Sequence, residues 1–108
     1  MTEFVEVVTA TGSEEEARRI ATSVVEARLA ACAQVAGPVS STHWWKGEVE
    51  QAEEWLCICK SSRALYAQLE KAIREAHSYE VPQIVALPVS AGSSDYVSWL
   101  RAELAGAG

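Results

Sequence analysis

Histidine, cysteine, lysine and clustered carboxylates are the side chains here that could do chemistry, and their spacing limits which chemistry. His77 ends the apolar periodicity of Leu65, Leu69, Ala72, Ile73 and Ala76. A helix ending there favours a cation at its C-terminus and exposes side chains. Tyr79 and Glu80 are near enough in sequence to join His77 in a polar cluster. His77 therefore reads either as a capping or packed side chain, or as a contact to a ligand or metal. His43 lies in an extended stretch beside Trp44 and Trp45 and reads as packing. Cys57-x-Cys59 places two thiols on one strand face, about 6.8 Å apart at strand rise. It lacks the C-x-x-C spacing of redox turns and zinc knuckles, so both thiols, like Cys32, read as small buried hydrophobes. Glu48, Glu50, Glu53 and Glu54 read as a solvated turn region, although Glu54 shares strand parity with Lys60. Those two could pair, or line a pocket with His77. Neither histidine sits in an HExxH or triad spacing, and Thr11-Gly12-Ser13 is too short for a phosphate loop. The sequence indicates no enzyme.

A chain of 108 residues suits one domain, 1–108, around one core. Nine basic against fifteen acidic residues leave a net charge of −6, with the basic residues scattered. That argues against nucleic acid, whose phosphates need a basic footprint. No apolar run approaches the roughly 20 residues of a membrane span, and the acidic start does not resemble a signal peptide. Three cysteines are an odd number and too few for a disulfide scaffold, which points to reduced thiols in the cytoplasm.

The elements that must position these residues alternate. Residues 3–10 are rich in β-branched and aromatic side chains and read as a strand. Ser13 and Glu16 form a capping-box pattern for a helix ending near Leu29. Residues 31–45 and 48–60 read as two arms of a long hairpin. Its turn is Lys46-Gly47, and Gly37-Pro38 marks a bend, bulge or edge position. Ser61-Ser62 caps a second helix over 63–76, a strand follows at 83–89, and Val97, Leu100 and Leu104 mark a short last helix. Residues 106–108 read as a frayed tail. The order β-α-β-β-α-β with a C-terminal helix is an α+β, ferredoxin-like sandwich with a long central hairpin. Its helices cover one sheet face, so the other meets water or another chain, and Trp44-Trp45 favours an oligomer.

In order, VVEARLAACAQVAGPVSSTHWWKGEVE, EEWLCICKS, HSYEVPQIVALPV and DYVSWL closely resemble the CutA family of divalent-cation tolerance proteins, from about Val7 to Leu100. The resemblance implies a cytoplasmic homotrimer of ferredoxin-like subunits whose hairpins extend the sheets between subunits. It also implies a divalent cation (copper, Cu²⁺) binding protein involved in metal ion tolerance. The family's histidine before its Pro-Tyr or Ser-Tyr motif matches His77, which becomes the implied metal ligand. Where some members carry a second histidine this chain has Ala76, and where some carry a cysteine near the end of the first strand it has Val8. The family's frequent Pro-Glu is Pro82-Gln83 here. A polar cleft at the subunit boundary is expected to retain Lys60, His77, Tyr79, Tyr96 and Trp99, with Glu54 nearby. It would take an anion or small polar ligand through Lys60 and His77. The alternative function is a trimeric small-ligand-sensing or scaffold protein with incidental metal binding.

Overall fold

The computed structural model describes residues 3–106, so of the tail expected at 106–108 only Gly106 is described, and 107 and 108 lie outside the described residues. The chain runs through β1 (Phe4–Thr11), α1 (Glu14–Glu26), β2 (Cys32–Trp45) and β3 (Glu48–Ser62). A short 3-10 turn (Arg63–Leu65) then enters α2 (Tyr66–Ala76), followed by β4 (Ile84–Pro88) and α3 (Ser94–Ala105). The strands form one antiparallel sheet in the order β2-β3-β1-β4. This is the ferredoxin-like α+β arrangement read from the sequence.

Period-2 and period-3.6 patterns meet in the main core. Val5 and Val7 of β1 and Cys57 and Cys59 of β3 pack against Ala17, Ile20 and Val24 of α1 and Leu69 and Ile73 of α2. On β1 the alternate residue Phe4 joins a second cluster with Leu100 and Leu104. Since successive strand side chains face opposite ways, α3 covers part of the sheet face that the long helices leave open.

Local chemistry explains the boundaries. Ser13 Oγ accepts a hydrogen bond from Glu16 N at 3.1 Å, half of the expected capping box. α1 stops at Glu26 rather than near Leu29, because Arg28 takes a left-handed φ of 61°. The amides of Arg28 and Leu29 then bond back to the Val25 and Val24 carbonyls, closing the helix end. Ser62 Oγ accepts from Leu65 N and starts the 3-10 turn, so the α-helix proper begins at Tyr66 rather than 63. Ser61 is not a cap; its hydroxyl donates to Leu29 O at 2.6 Å.

Lys46 (φ 51°) and Gly47 (φ 84°) make the two-residue turn between β2 and β3, with the positive φ pair that suits hairpin twist. The β2–β3 register slips between Ala36 and Val39, where Gly37-Pro38 forms a bulge. A Cβ on Gly37 would stand 2.6 Å from Trp55 Cδ1, so the glycine lets the bulge lie against that ring. β1 pairs with β3 only from Trp55 to Ser62. The stretch Glu48–Glu54 therefore runs past β1 with β2 as its strand partner, and the molecule measures 44 × 25 × 21 Å.

Candidate functional site

Past the end of β1, the segment after α2 folds toward the projecting hairpin. Glu16 anchors it. The Glu16 carboxylate, expected to return to its own helix cap, instead accepts from Ser78 N (2.7 Å) and Ser78 Oγ (2.9 Å). His77 lies next to this anchor with its side chain fully buried. Its Nδ1 accepts from Tyr79 N at 3.1 Å, and its Nε2 stands 2.9 Å from the Ala10 carbonyl. A carbonyl can only accept, so the proton sits on Nε2 and the free lone pair of Nδ1 faces the Tyr79 amide. Glu16 Oε2 lies 3.7 Å from Nδ1.

The Tyr79 ring packs against the imidazole with centroids 4.9 Å apart and donates its hydroxyl to Glu54 Oε2 at 2.9 Å. Gly12 leaves room for this hydroxyl, since a Cβ there would sit 3.2 Å from it. Burial first, then the hydrogen bond to Glu54 and the charges of Glu54 and Glu16, push the Tyr79 phenol up to about 12. Tyr79 is thus a donor, and Glu54, 8% exposed, is a buried acceptor.

Between this segment and the hairpin opens a cleft of about 790 Å³. Ser41, His43, Trp45, Glu50, Ala52 and Glu54 line the hairpin side, and Tyr79, Glu80, Val81 and Gln83 the other. His43 and Glu50 are cross-strand partners with Nε2 and Oε1 4.0 Å apart.

Within one chain Glu54, His77 and Tyr79 lie together, while Lys60, Tyr96 and Trp99, expected beside them at a subunit boundary, stand apart from them. Six residues of strand, about 20 Å, divide Glu54 from Lys60. Lys60 Nζ is occupied by Glu6 Oε2 at 3.0 Å and Gln34 Oε1 at 2.9 Å. Tyr96 Oη meets Cys32 Sγ at 3.7 Å, and its ring packs on Trp99 with centroids 5.6 Å apart. Burial, then the Cys32 hydrogen bond and the neighbouring Cys32 and Glu6, push the Tyr96 phenol up to about 12.

Both ring nitrogens of His77, the implied metal ligand, face protein partners, and an ion there would have to displace one of them. Among the described residues, no three His, Cys, Asp or Glu side chains converge as a metal-holding group. Cys57 and Cys59 are buried as expected, with sulfurs 3.8 Å apart and no disulfide. The Cys59 hydrogen bond lowers the Cys57 thiol, while the same bond and burial raise that of Cys59.

Sequence reading missed Glu16 as an anchor, because nothing local connects it to Ser78. It also missed Glu50 and His43 as one wall of a cleft. A signal for these was present: the Lys46-Gly47 turn sets 45 opposite 48, and hence 43 opposite 50.

A sequence model of the CutA1 divalent ion tolerance protein matches residues 5–103, nearly the whole chain. The chain belongs to this family. The chain is 42% identical over 89 residues to the divalent-cation tolerance protein CutA of Thermus thermophilus, covering 82% of this chain and 86% of that one. Protein CutA of Homo sapiens is 39% identical over 89 residues, again 82% of this chain but 50% of the human one. The chain thus spans about half of some CutA relatives. Among solved structures, the Thermus thermophilus divalent cation tolerance protein superposes with a TM-score of 0.89 at 38% identity, covering 93% of this chain and 97% of that one. A periplasmic divalent cation tolerance protein CutA from Archaeoglobus fulgidus gives 0.89 at 32%, with 94% and 98% covered. No helix among the described residues is long and apolar enough to cross a membrane.

Proposed function

We propose that this CutA family chain binds a divalent cation, Cu²⁺ foremost, and serves divalent ion tolerance as a cytoplasmic homotrimer without catalysing a reaction. The observation that carries the ion is the His43–Glu50 pair. Bonds of about 2.0–2.2 Å from imidazole nitrogen and carboxylate oxygen let one ion bridge donors 4.0 Å apart. Imidazole beside carboxylate suits Cu²⁺, which such donors bind most tightly among the first-row divalent ions. Water or a neighbouring subunit completes the shell, so the ion is exchangeable cargo. His77 acts at one remove by holding the Tyr79 segment that faces the pair across the cleft.

Three free thiols support a reducing compartment. Val85 and Leu87, exposed on the sheet face away from α1 and α2, support assembly. A non-catalytic role is supported by the commitment of the acid–base candidates, with His77 bonded at both nitrogens and Tyr79 held protonated. The second reading, a small-ligand-sensing or scaffold trimer with incidental metal binding, is favoured by a cleft volume far larger than one ion needs.

Calorimetric titration of the reduced, metal-free protein with Cu²⁺ and Zn²⁺ tests the ion reading. Saturable binding that weakens at least about tenfold in His43→Ala, with less change in His77→Ala, is the expected result. Non-saturating binding, or saturable binding that neither substitution alters, overturns it. Loss in His77→Ala with His43→Ala unaffected moves the ion to His77.

A further inference from the structure

The inner wall of the cleft carries a pattern that an ion alone does not use. Along one face of β3 stand Glu50, Ala52 and Glu54, so two carboxylates flank a methyl group with about 13 Å between the outer residues at strand rise. Glu54 is nine-tenths buried, yet among the described residues only the Tyr79 hydroxyl reaches its carboxylate. One oxygen of a buried carboxylate is left for a donor from outside the chain. An aromatic ring lies at each end of the row: Tyr79 beside Glu54, and Trp45 two cross-strand pairs beyond Glu50, on the same face. Trp45 already accepts an ammonium, for Lys46 Nζ stands 5.5 Å from its ring centroid. No Lys or Arg among the described residues lines the cleft.

We propose that this cleft binds a linear aliphatic polyamine. One ammonium group would bond Glu54 beneath the Tyr79 ring, a second would bond Glu50 near Trp45, and the methylene chain would lie over Ala52. The chemistry favours an extended polycation over a compact one, because the carboxylates are spaced along a strand and the surface between them is apolar. The volume of about 790 Å³ falls in the range of small-molecule sites. The net charge of −6 draws cations toward the protein. A polyamine needs no metal, so titration in EDTA separates this site from the ion reading, with which it shares Glu50.

The test is calorimetric titration of the full chain in EDTA with spermidine, with n-butylamine as the single-amine probe. Saturable spermidine binding is expected, weakened about tenfold or more by Glu54→Gln and by Glu50→Gln, since each removes one charged partner. n-Butylamine should bind at least about tenfold more weakly, having one charge to place. The exposed helix variant Glu15→Gln should bind as the parent does. Absence of saturable spermidine binding overturns the proposal, as does a loss in Glu15→Gln equal to that in Glu54→Gln. If Glu54→Gln fails to fold by circular dichroism, the exposed Glu50→Gln and Trp45→Leu variants decide: unchanged affinity in both overturns the site.

Discussion

Tyr79 Oη donates to Glu54 Oε2 at 2.9 Å, joining the segment after α2 to the part of β3 that runs past β1. The bond closes a route across the molecule. Glu16 at the start of α1 holds Ser78, His77 holds the Tyr79 amide, and Tyr79 reaches the hairpin. The projecting hairpin is thereby fixed to the body at the inner end of the cleft.

Stability should fall in strong base because of two phenols. Tyr79 and Tyr96 are both pushed up to about 12 in the folded chain, whereas an unfolded tyrosine titrates near 10. Above about pH 10 the unfolded state therefore loses protons that the folded state keeps. Their contribution is whole below pH 10 and is lost as pH rises toward about 12. Urea unfolding across that window should show a declining midpoint, less steep in Tyr79→Phe and least steep in Tyr79→Phe/Tyr96→Phe. The same slope in the double variant would refute the assignment.

Glu16→Ala should destabilise the fold by about 1–3 kcal/mol, the range for losing hydrogen bonds to a charged acceptor. It removes the acceptor of both Ser78 bonds. Glu16→Gln keeps one amide oxygen and should cost less. Denaturant midpoints at neutral pH measure the difference, and equal loss in the two variants would show that charge matters rather than the hydrogen bonds.

Much of the fold was readable because it depends on local pattern. The alternation in β1, the spacing of Leu69 and Ile73, the Ser13 cap and the Lys46-Gly47 turn all act within a few residues. The site was less readable because its bonds are distant: Ala10 and His77 are 67 positions apart, and Glu16 and Ser78 are 62. Strand parity correctly aligned Glu54 with Lys60 but carried no information on what lies beside each. β1 and Gln34 of β2 surround Lys60, whereas β1 has ended before Glu54 and Tyr79 takes the space.

Gly37→Ala tests the bulge. The new methyl would lie 2.6 Å from Trp55 Cδ1 and 3.0 Å from Glu54 O. The backbone oxygen cannot swing away as a side chain can, so β3 must shift where Glu54 meets Tyr79. Overpacking of this kind costs about 1–3 kcal/mol. A lowered thermal midpoint with weaker ligand binding in the cleft is expected, and an unchanged midpoint would show that the bulge relaxes freely.

The open sheet face yields a test of assembly. In register across the sheet, Ile58, Val8 and Val85 form an apolar row, with the Lys60–Glu6 ion pair and Leu87 in the next row but one along the strands. Val85 and Leu87 are 44% and 49% exposed in the single chain. Rows of this kind on a sheet face gain free energy by meeting another such surface, at about 25 cal/mol per Å² of apolar area removed from water. Val85→Asp places a charge in that row without touching the core, because Val85 faces away from α1 and α2. If three chains close over this face, light scattering should show the parent as a trimer and Val85→Asp as smaller species at micromolar concentration, with helix content retained. A parent that is monomeric, or a Val85→Asp variant that stays trimeric, would mean that this row is not what holds the subunits together.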